Sequence, residues 1–220
     1  CHLLPVRGIR PISQFQPRSQ ACMRYLRLLD TVFIGTLILV TALSATARPA
    51  HAADDTALWS AIRTGTAFAI MRHALAPGTG DPETVVIGDC TTQGNLSGDG
   101  RAQSREIGDR FRANGVRAAR VFTSAWCRCA ETAALLKIGE AAVLPPLTSF
   151  FGAPENRIQQ TAALKAWLAE NRGSEPLVLV THQVNITALT KVYPRSGEIV
   201  VARLDDGGGI RVLGTVYTPS

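Results

Sequence analysis

The sequence has no internal repeat, no coiled-coil heptad and no low-complexity block, and only 18% of its 220 residues are charged. Those absences argue against a disordered polymer or a collagen-like chain and leave a globular protein with one domain as the default. Five cysteines are too few for a disulfide-dense mini-domain, and histidine is scarcer still, with four residues. An even spread of basic charge is also missing. Of the 23 Lys and Arg, six lie in residues 1–52 (Arg7, Arg10, Arg18, Arg24, Arg27 and Arg48), and of the 17 Asp and Glu only Asp30 does. Residues 53–220 therefore carry 17 basic side chains against 16 acidic ones, too balanced to concentrate nucleic acid non-specifically, although a local basic pocket is compatible with it.

The surplus of Arg belongs to a leader. The first Met is Met23, so residues 1–22 read as an upstream extension. From Met23 a short basic stretch precedes an apolar run from Thr31 to about Ala47, followed by Ala50-His51-Ala52. This is the order of a signal peptide over 23–52, predicting cleavage near Ala52 and a periplasmic or secreted domain over 53–220. The competing reading is a membrane anchor, but Thr36, Thr41, Ser44 and Thr46 dilute the run, and no anchor is expected after cleavage. Residues 53–220 keep Cys90, Cys127 and Cys129. Cys127 and Cys129 lie about 200° apart around a helix, a poor metal clip. Either Cys90 bridges one of them, or all three are buried thiols.

Strands and helices alternate along this domain. After a short helical start over 56–63, Ala67–Met71 is a compact apolar run of the kind buried on both faces. A long loop rich in Gly and Pro spans 74–97, and long loops inside compact domains are usually functional. A helix is predicted over 98–114, a strand over 120–123, and a helix from Ala125 to about Ile138 capped by Ser124. An irregular segment from Pro145 to Pro154 leads to a helix over 158–170, a strand over 177–180, a helix over 184–192, and strands over 197–204 and 210–217. The pattern predicts a three-layer α/β/α sandwich around a mostly parallel sheet, with ligands binding beyond the carboxyl ends of the strands.

Both histidines beyond the leader directly follow apolar strands: His73 in Ile-Met-Arg-His and His182 in Leu-Val-Leu-Val-Thr-His. Parallel strands would bring both to one rim. Arg128, in the first turn of the helix after the 120–123 strand, points to the same place, although it could instead pair with Glu131 or Asp109. Guanidinium forks and helix N-termini bind phosphate oxygens, so Arg72, Arg128 and the two imidazoles would form a phosphate cradle.

These segments resemble the histidine phosphatase superfamily, the clan that includes phosphoglycerate mutases. Met71-Arg72-His73-Ala74 is similar to its Arg-His-Gly signature with Ala74 in place of Gly, and Leu96-Ser97 with Gly100-Arg101, Ser124 through Ala133, and Val180-Thr181-His182 follow in the family's order. The resemblance implies a phosphoglycerate mutase-like fold and a phosphohydrolase of phosphate monoesters. His73 would be the nucleophile, forming a phosphohistidine. Arg72 and Arg128 would hold the equatorial oxygens and His182 would be a further donor, with no metal or cofactor required. The substrate would be a phosphorylated small molecule or surface group.

The general acid stays open among Glu155, Asp81, Glu83 and Asp89, because the mutase-like acidic sequence is missing and Gln183 follows His182 where the acid-phosphatase branch has Asp. That gap keeps two alternatives: a non-catalytic phosphate- or sugar-phosphate-binding module, and a phosphohistidine phosphatase.

Overall fold

The two most apolar runs of the domain lie side by side in the middle of one sheet. In the computed structural model, which describes residues 50–219, β1 (Phe68–Arg72) and β4 (Leu177–Thr181) pair in parallel, with Ala69 beside Val178 and Met71 beside Val180. Every residue of β4 is buried, which is why its sequence shows no alternation of polar and apolar residues. β2 (Arg120–Thr123) pairs in parallel with the other edge of β4, and β3 (Ala141–Val143) with β2. On the far side β5 (Ile199–Leu204) is antiparallel to β1, and β6 (Ile210–Val216) to β5. The order is β3-β2-β4-β1-β5-β6. The expected upstream extension and all but the last residues of the expected signal peptide lie outside the described residues.

Alternate residues of the central strands feed two cores. Ala69, Met71, Val178, Val180, Ile199 and Val201 face one, covered by α1 (Ala50–Arg63), α2 (Gly98–Ala113) and α3 (Cys127–Leu136). Phe68, Ile70, Leu177, Leu179 and Val200 face the other, covered by α4 (Arg157–Glu170) and α5 (Gln183–Thr190). This is the expected three-layer sandwich. Each fully buried Val, Leu or Ile contributes about 1.5–3 kcal/mol relative to exposure, so the β1–β4 centre is the energetic heart of the fold. α2 approaches α3 closely because residue 108 is Gly: a Cβ there would lie 2.2 Å from the Leu136 carbonyl oxygen. Among the described residues no helix is long and apolar enough to cross a membrane.

Several boundaries differ from expectation. The helix read over 125–138 spans Cys127–Leu136, with Lys137 in the left-handed region at φ 53°. Its cap position is Trp126, not Ser124. β3, given no range in the sequence, is a short edge strand of partly exposed Ala and Val. Cys90 is bonded to Cys127, and Cys129 is the free buried thiol.

Candidate active site

The ladder hydrogen bonds run one residue past the strands and fix where the site begins. The His73 amide donates to the Thr181 carbonyl at 3.0 Å, and the Ser124 amide to the Val180 carbonyl at 3.1 Å. The carboxyl ends of β1, β2 and β4 therefore converge, and His182 follows β4 on the same rim. The two imidazoles pack edge to face with centroids 5.4 Å apart. Arg72, His73, Arg128 and His182 line one cavity of about 210 Å³.

The ring of His73 has a defined tautomer. Its Nδ1 is 2.8 Å from the Ala74 carbonyl oxygen, an obligate acceptor, so Nδ1 carries the proton and Nε2 keeps its lone pair. His73 is 6% exposed, and burial, assisted by Arg128 and Arg72, pushes its pKa down to about 3. Ala74 is fully buried and contributes backbone groups only, its amide donating to Thr132 Oγ1 at 3.1 Å, and it is not in the left-handed region. The side chain that replaces the resemblance's Gly is thus accommodated without strain. Thr132 in turn donates to the Arg128 carbonyl at 2.7 Å.

His182 is held as firmly. A guanidinium can only donate, so the 3.5 Å approach of Arg128 Nη2 makes His182 Nδ1 an acceptor. Nε2 then donates to Ser124 Oγ at 3.0 Å, with Cys129 Sγ at 3.4 Å. Burial, then the neighbouring His73 and the two arginines, hold His182 well below its usual pKa. Burial pushes the Cys129 thiol up to about 12, so it stays protonated and is no nucleophile.

Arg128 is 8% exposed, lies over the Trp126 ring at 4.7 Å, and does not pair with Glu131 or Asp109. Arg101 takes Glu131 and Arg112 takes Asp109. The Arg128 partner is Asp81, gripped by both arms of the fork at 2.7 and 2.9 Å, while Nη1 also reaches the Gly94 carbonyl at 3.2 Å. Burial alone would raise the pKa of Asp81, but Arg128 and the Gly94 amide outweigh it and lower it. Arg72 donates to the Pro194 carbonyl through Nη1 at 3.5 Å, and its buried Nε has no hydrogen-bond partner. Leaving a buried donor unpaired costs about 1–3 kcal/mol.

No protein-family profile matches the sequence, and no curated protein does. Solved structures do match. A protein of Escherichia coli assigned as an alpha-ribazole-5'-P phosphatase superposes with a TM-score of 0.51 at 14% identity, over 66% of this chain and 93% of its own. The product of open reading frame Rv3214 from Mycobacterium tuberculosis gives 0.50 at 15%, over 66% and 94%. The protein histidine phosphatase SixA, solved with tungstate, gives 0.49 at 20%, over 68% and 95%. The chain shares the fold of the first two structures, a phosphoglycerate mutase-like α/β/α sandwich.

Within this fold the four residues singled out from the sequence, Arg72, His73, Arg128 and His182, share one cavity. Of the four candidate acids only Asp81 joins them. Glu155 and Glu83 are exposed and outside the cavity, and Asp89 is exposed and caps the short turn at Cys90–Thr92 by accepting from the Thr91 amide. Three participants were not read from sequence. Gln93 accepts from the Cys127 amide at 2.8 Å and so ties the long loop to the start of α3. Phe151 and Tyr193 line the cavity mouth. Among the described residues no group of three or more His, Cys, Asp or Glu is placed to hold a metal ion.

Proposed function

We propose that the protein is a phosphatase that hydrolyses phosphate monoesters through a phosphohistidine at His73. The observation that carries this reading is the Nδ1–Ala74 bond, which leaves Nε2 as the one uncommitted nitrogen of a neutral imidazole in a cavity lined by two arginines. Nε2 donates its lone pair to phosphorus and the P–O bond to the alcohol breaks in line, so the alkoxide needs a proton. Water then attacks the phosphorus, the P–N bond returns its electron pair to Nε2, and orthophosphate leaves. Arg72 and Arg128 neutralise the equatorial oxygens, where phosphoryl transfer gains most from electrostatic help. No step calls for a metal.

Asp81 is the proton carrier in this reading. A phosphate that takes the Arg128 fork deprives Asp81 of its cationic partner and sets a dianion beside it, and both changes raise its pKa toward protonation. The protonated carboxyl then delivers to the leaving oxygen, and as carboxylate it accepts the proton of the attacking water. His182 donates to the phosphoryl group through Nδ1 in its other tautomer: solvent takes the Nε2 proton and supplies one to Nδ1, Ser124 Oγ then donates to Nε2, and Arg128 Nη2 turns from Nδ1 to the phosphate. The leader pattern supports action outside the cytoplasm.

The test is rapid-quench mass spectrometry with an activated aryl phosphate. A transient acid-labile phosphoryl adduct on the His73 peptide, lost together with turnover in His73→Ala, is the expected result. Turnover at the parental rate in His73→Ala would overturn the mechanism, and phosphate binding with no turnover would leave a binding module.

A further inference from the structure

The cavity is small, about 210 Å³, against roughly 300–1,000 Å³ for pockets that enclose a drug-sized ligand. The phosphoryl group and its immediate ester oxygen fill the region between Arg72, His73, Arg128 and His182, so the rest of a substrate meets the mouth. Two large rings stand there in the open. Phe151 is 58% exposed and Tyr193 is 73% exposed, although both line the cavity. They come from separate loops. The Phe151 ring lies next to Gly80, where a Cβ would be 3.5 Å from its Cε1, and Tyr193 precedes Pro194, whose carbonyl accepts from Arg72.

Charge narrows the choice of substrate. Among the described residues the only full charges in the lining are Arg72, Arg128 and Asp81. Both cations serve the phosphoryl group, and the remaining charge is a carboxylate. A second acidic group on the substrate would find no cation and one anion. An uncharged ring would find two aromatic side chains whose own exposure is relieved by the contact.

We infer that Phe151 and Tyr193 are specificity-determining residues that grip an uncharged ring on the alcohol side of the phosphate ester, and that the site discriminates against esters carrying a second acid. This rests on the phosphatase reading given above. Aromatic and sugar rings both present an apolar face, and the experiment separates them.

Benzyl phosphate, glucose 6-phosphate, glycerol 3-phosphate and 3-phosphoglycerate are all esters of primary alcohols, so their hydrolysis compares the groups beyond the ester with little difference in leaving ability. The expected order in kcat/KM places one or both ring esters about tenfold or more above glycerol 3-phosphate and 3-phosphoglycerate last. In Phe151→Ala/Tyr193→Ala the KM for the ring esters should rise about 3–10-fold per ring lost, the size of an aromatic contact. Glycerol 3-phosphate, which has no ring to lose, should lose clearly less than the ring esters, and inhibition by orthophosphate reads separately any effect of Tyr193 on its neighbour Arg72. A loss confined to benzyl phosphate assigns an aromatic ring, and one confined to glucose 6-phosphate a sugar. Equal rates for ring and acyclic esters, or a uniform loss for all four in the double variant, would overturn the inference. Calorimetric binding of benzylphosphonate against methylphosphonate reads the same grip without chemistry. Tighter binding of the benzyl compound that vanishes in the double variant would support the rings' role even if no ester is hydrolysed, a result that would sink the phosphatase reading alone. Equal binding, together with no selective loss for glucose 6-phosphate in the double variant, would sink the grip.

Discussion

Moving the protein from pH 7 to pH 5 should weaken its fold through His73. In the unfolded chain the imidazole titrates near 6.5, whereas burial and the two arginines push the folded group down to about 3. Between those values the unfolded state binds a proton that the native state refuses, so stability rises with pH across the window and falls as pH is lowered through 6.5. At pH 5 the loss from His73 alone is about 2 kcal/mol, at ~1.4 kcal/mol per unit below the unfolded pKa. His182 acts in the same direction. Asp81 does not contribute in this window, because its folded pKa is depressed below the usual carboxylate value of 3.8 and its stabilisation is lost only at lower pH. The control is His73→Asn, whose amide can still donate to the Ala74 carbonyl but cannot titrate. Urea unfolding at pH 7, 6 and 5 should show the parent losing about 2 kcal/mol more than the variant, a midpoint difference of about 1 M for a slope near 2 kcal/mol/M. Equal losses in both proteins would refute the buried neutral imidazole, and with it the tautomer assigned to the nucleophile.

Asp81→Asn should leave Arg128 short of a counter-charge and cost about 1–3 kcal/mol, less than the ~3–5 kcal/mol of a dry pair because the cavity admits water. Orthophosphate should then raise the variant's Tm more than the parent's, and kcat on alkyl esters should fall about 10²–10⁴-fold with aryl esters affected less. Reduction of the Cys90–Cys127 bond, which closes a 37-residue separation, should lower unfolding stability by about 3–4 kcal/mol, measured by denaturation with and without dithiothreitol. Gly108→Ala should cost about 1–3 kcal/mol in urea unfolding, because the new methyl collides with the Leu136 carbonyl and α2 must retreat from α3.

The parts of the fold that the sequence announced are those whose cause is local. β1 and β4 show as unbroken apolar runs because both of their faces are covered, and a histidine immediately after each is then placed at a strand's carboxyl end by chain order alone. β3 gives no such signal, since a three-residue edge strand of Ala-Ala-Val buries little. Ser124 looked like a helix cap because it stands between a strand and a helix. Its hydroxyl does accept from the Trp126 amide at 3.3 Å, but its stronger partner is His182, 58 positions away. Asp81 could not be told from Glu83 or Asp89 for the same reason, because what distinguishes it is a fork 47 residues downstream. The Arg128 partners weighed from sequence, Glu131 and Asp109, were near in the chain but were already taken by Arg101 and Arg112. Phe151 and Tyr193 belong to no motif, and only the folding of two distant loops toward one cavity gives them a place.

If the cavity takes phosphate as proposed, the carboxylate in the Arg128 fork sets a threshold for it. An anion arriving there gains only the difference between its own pairing with the guanidinium and that of Asp81, which already holds two hydrogen bonds at 2.7 and 2.9 Å. On that reading a singly charged carboxylate offers Arg128 no more than Asp81 does, and a monoanion would gain little there. A phosphoryl dianion brings twice the charge and additional acceptor oxygens, among them one for the unpartnered Nε of Arg72. On that reading discrimination by charge state would be built into the resting arrangement of two residues, before any contact with the rest of the ligand is made.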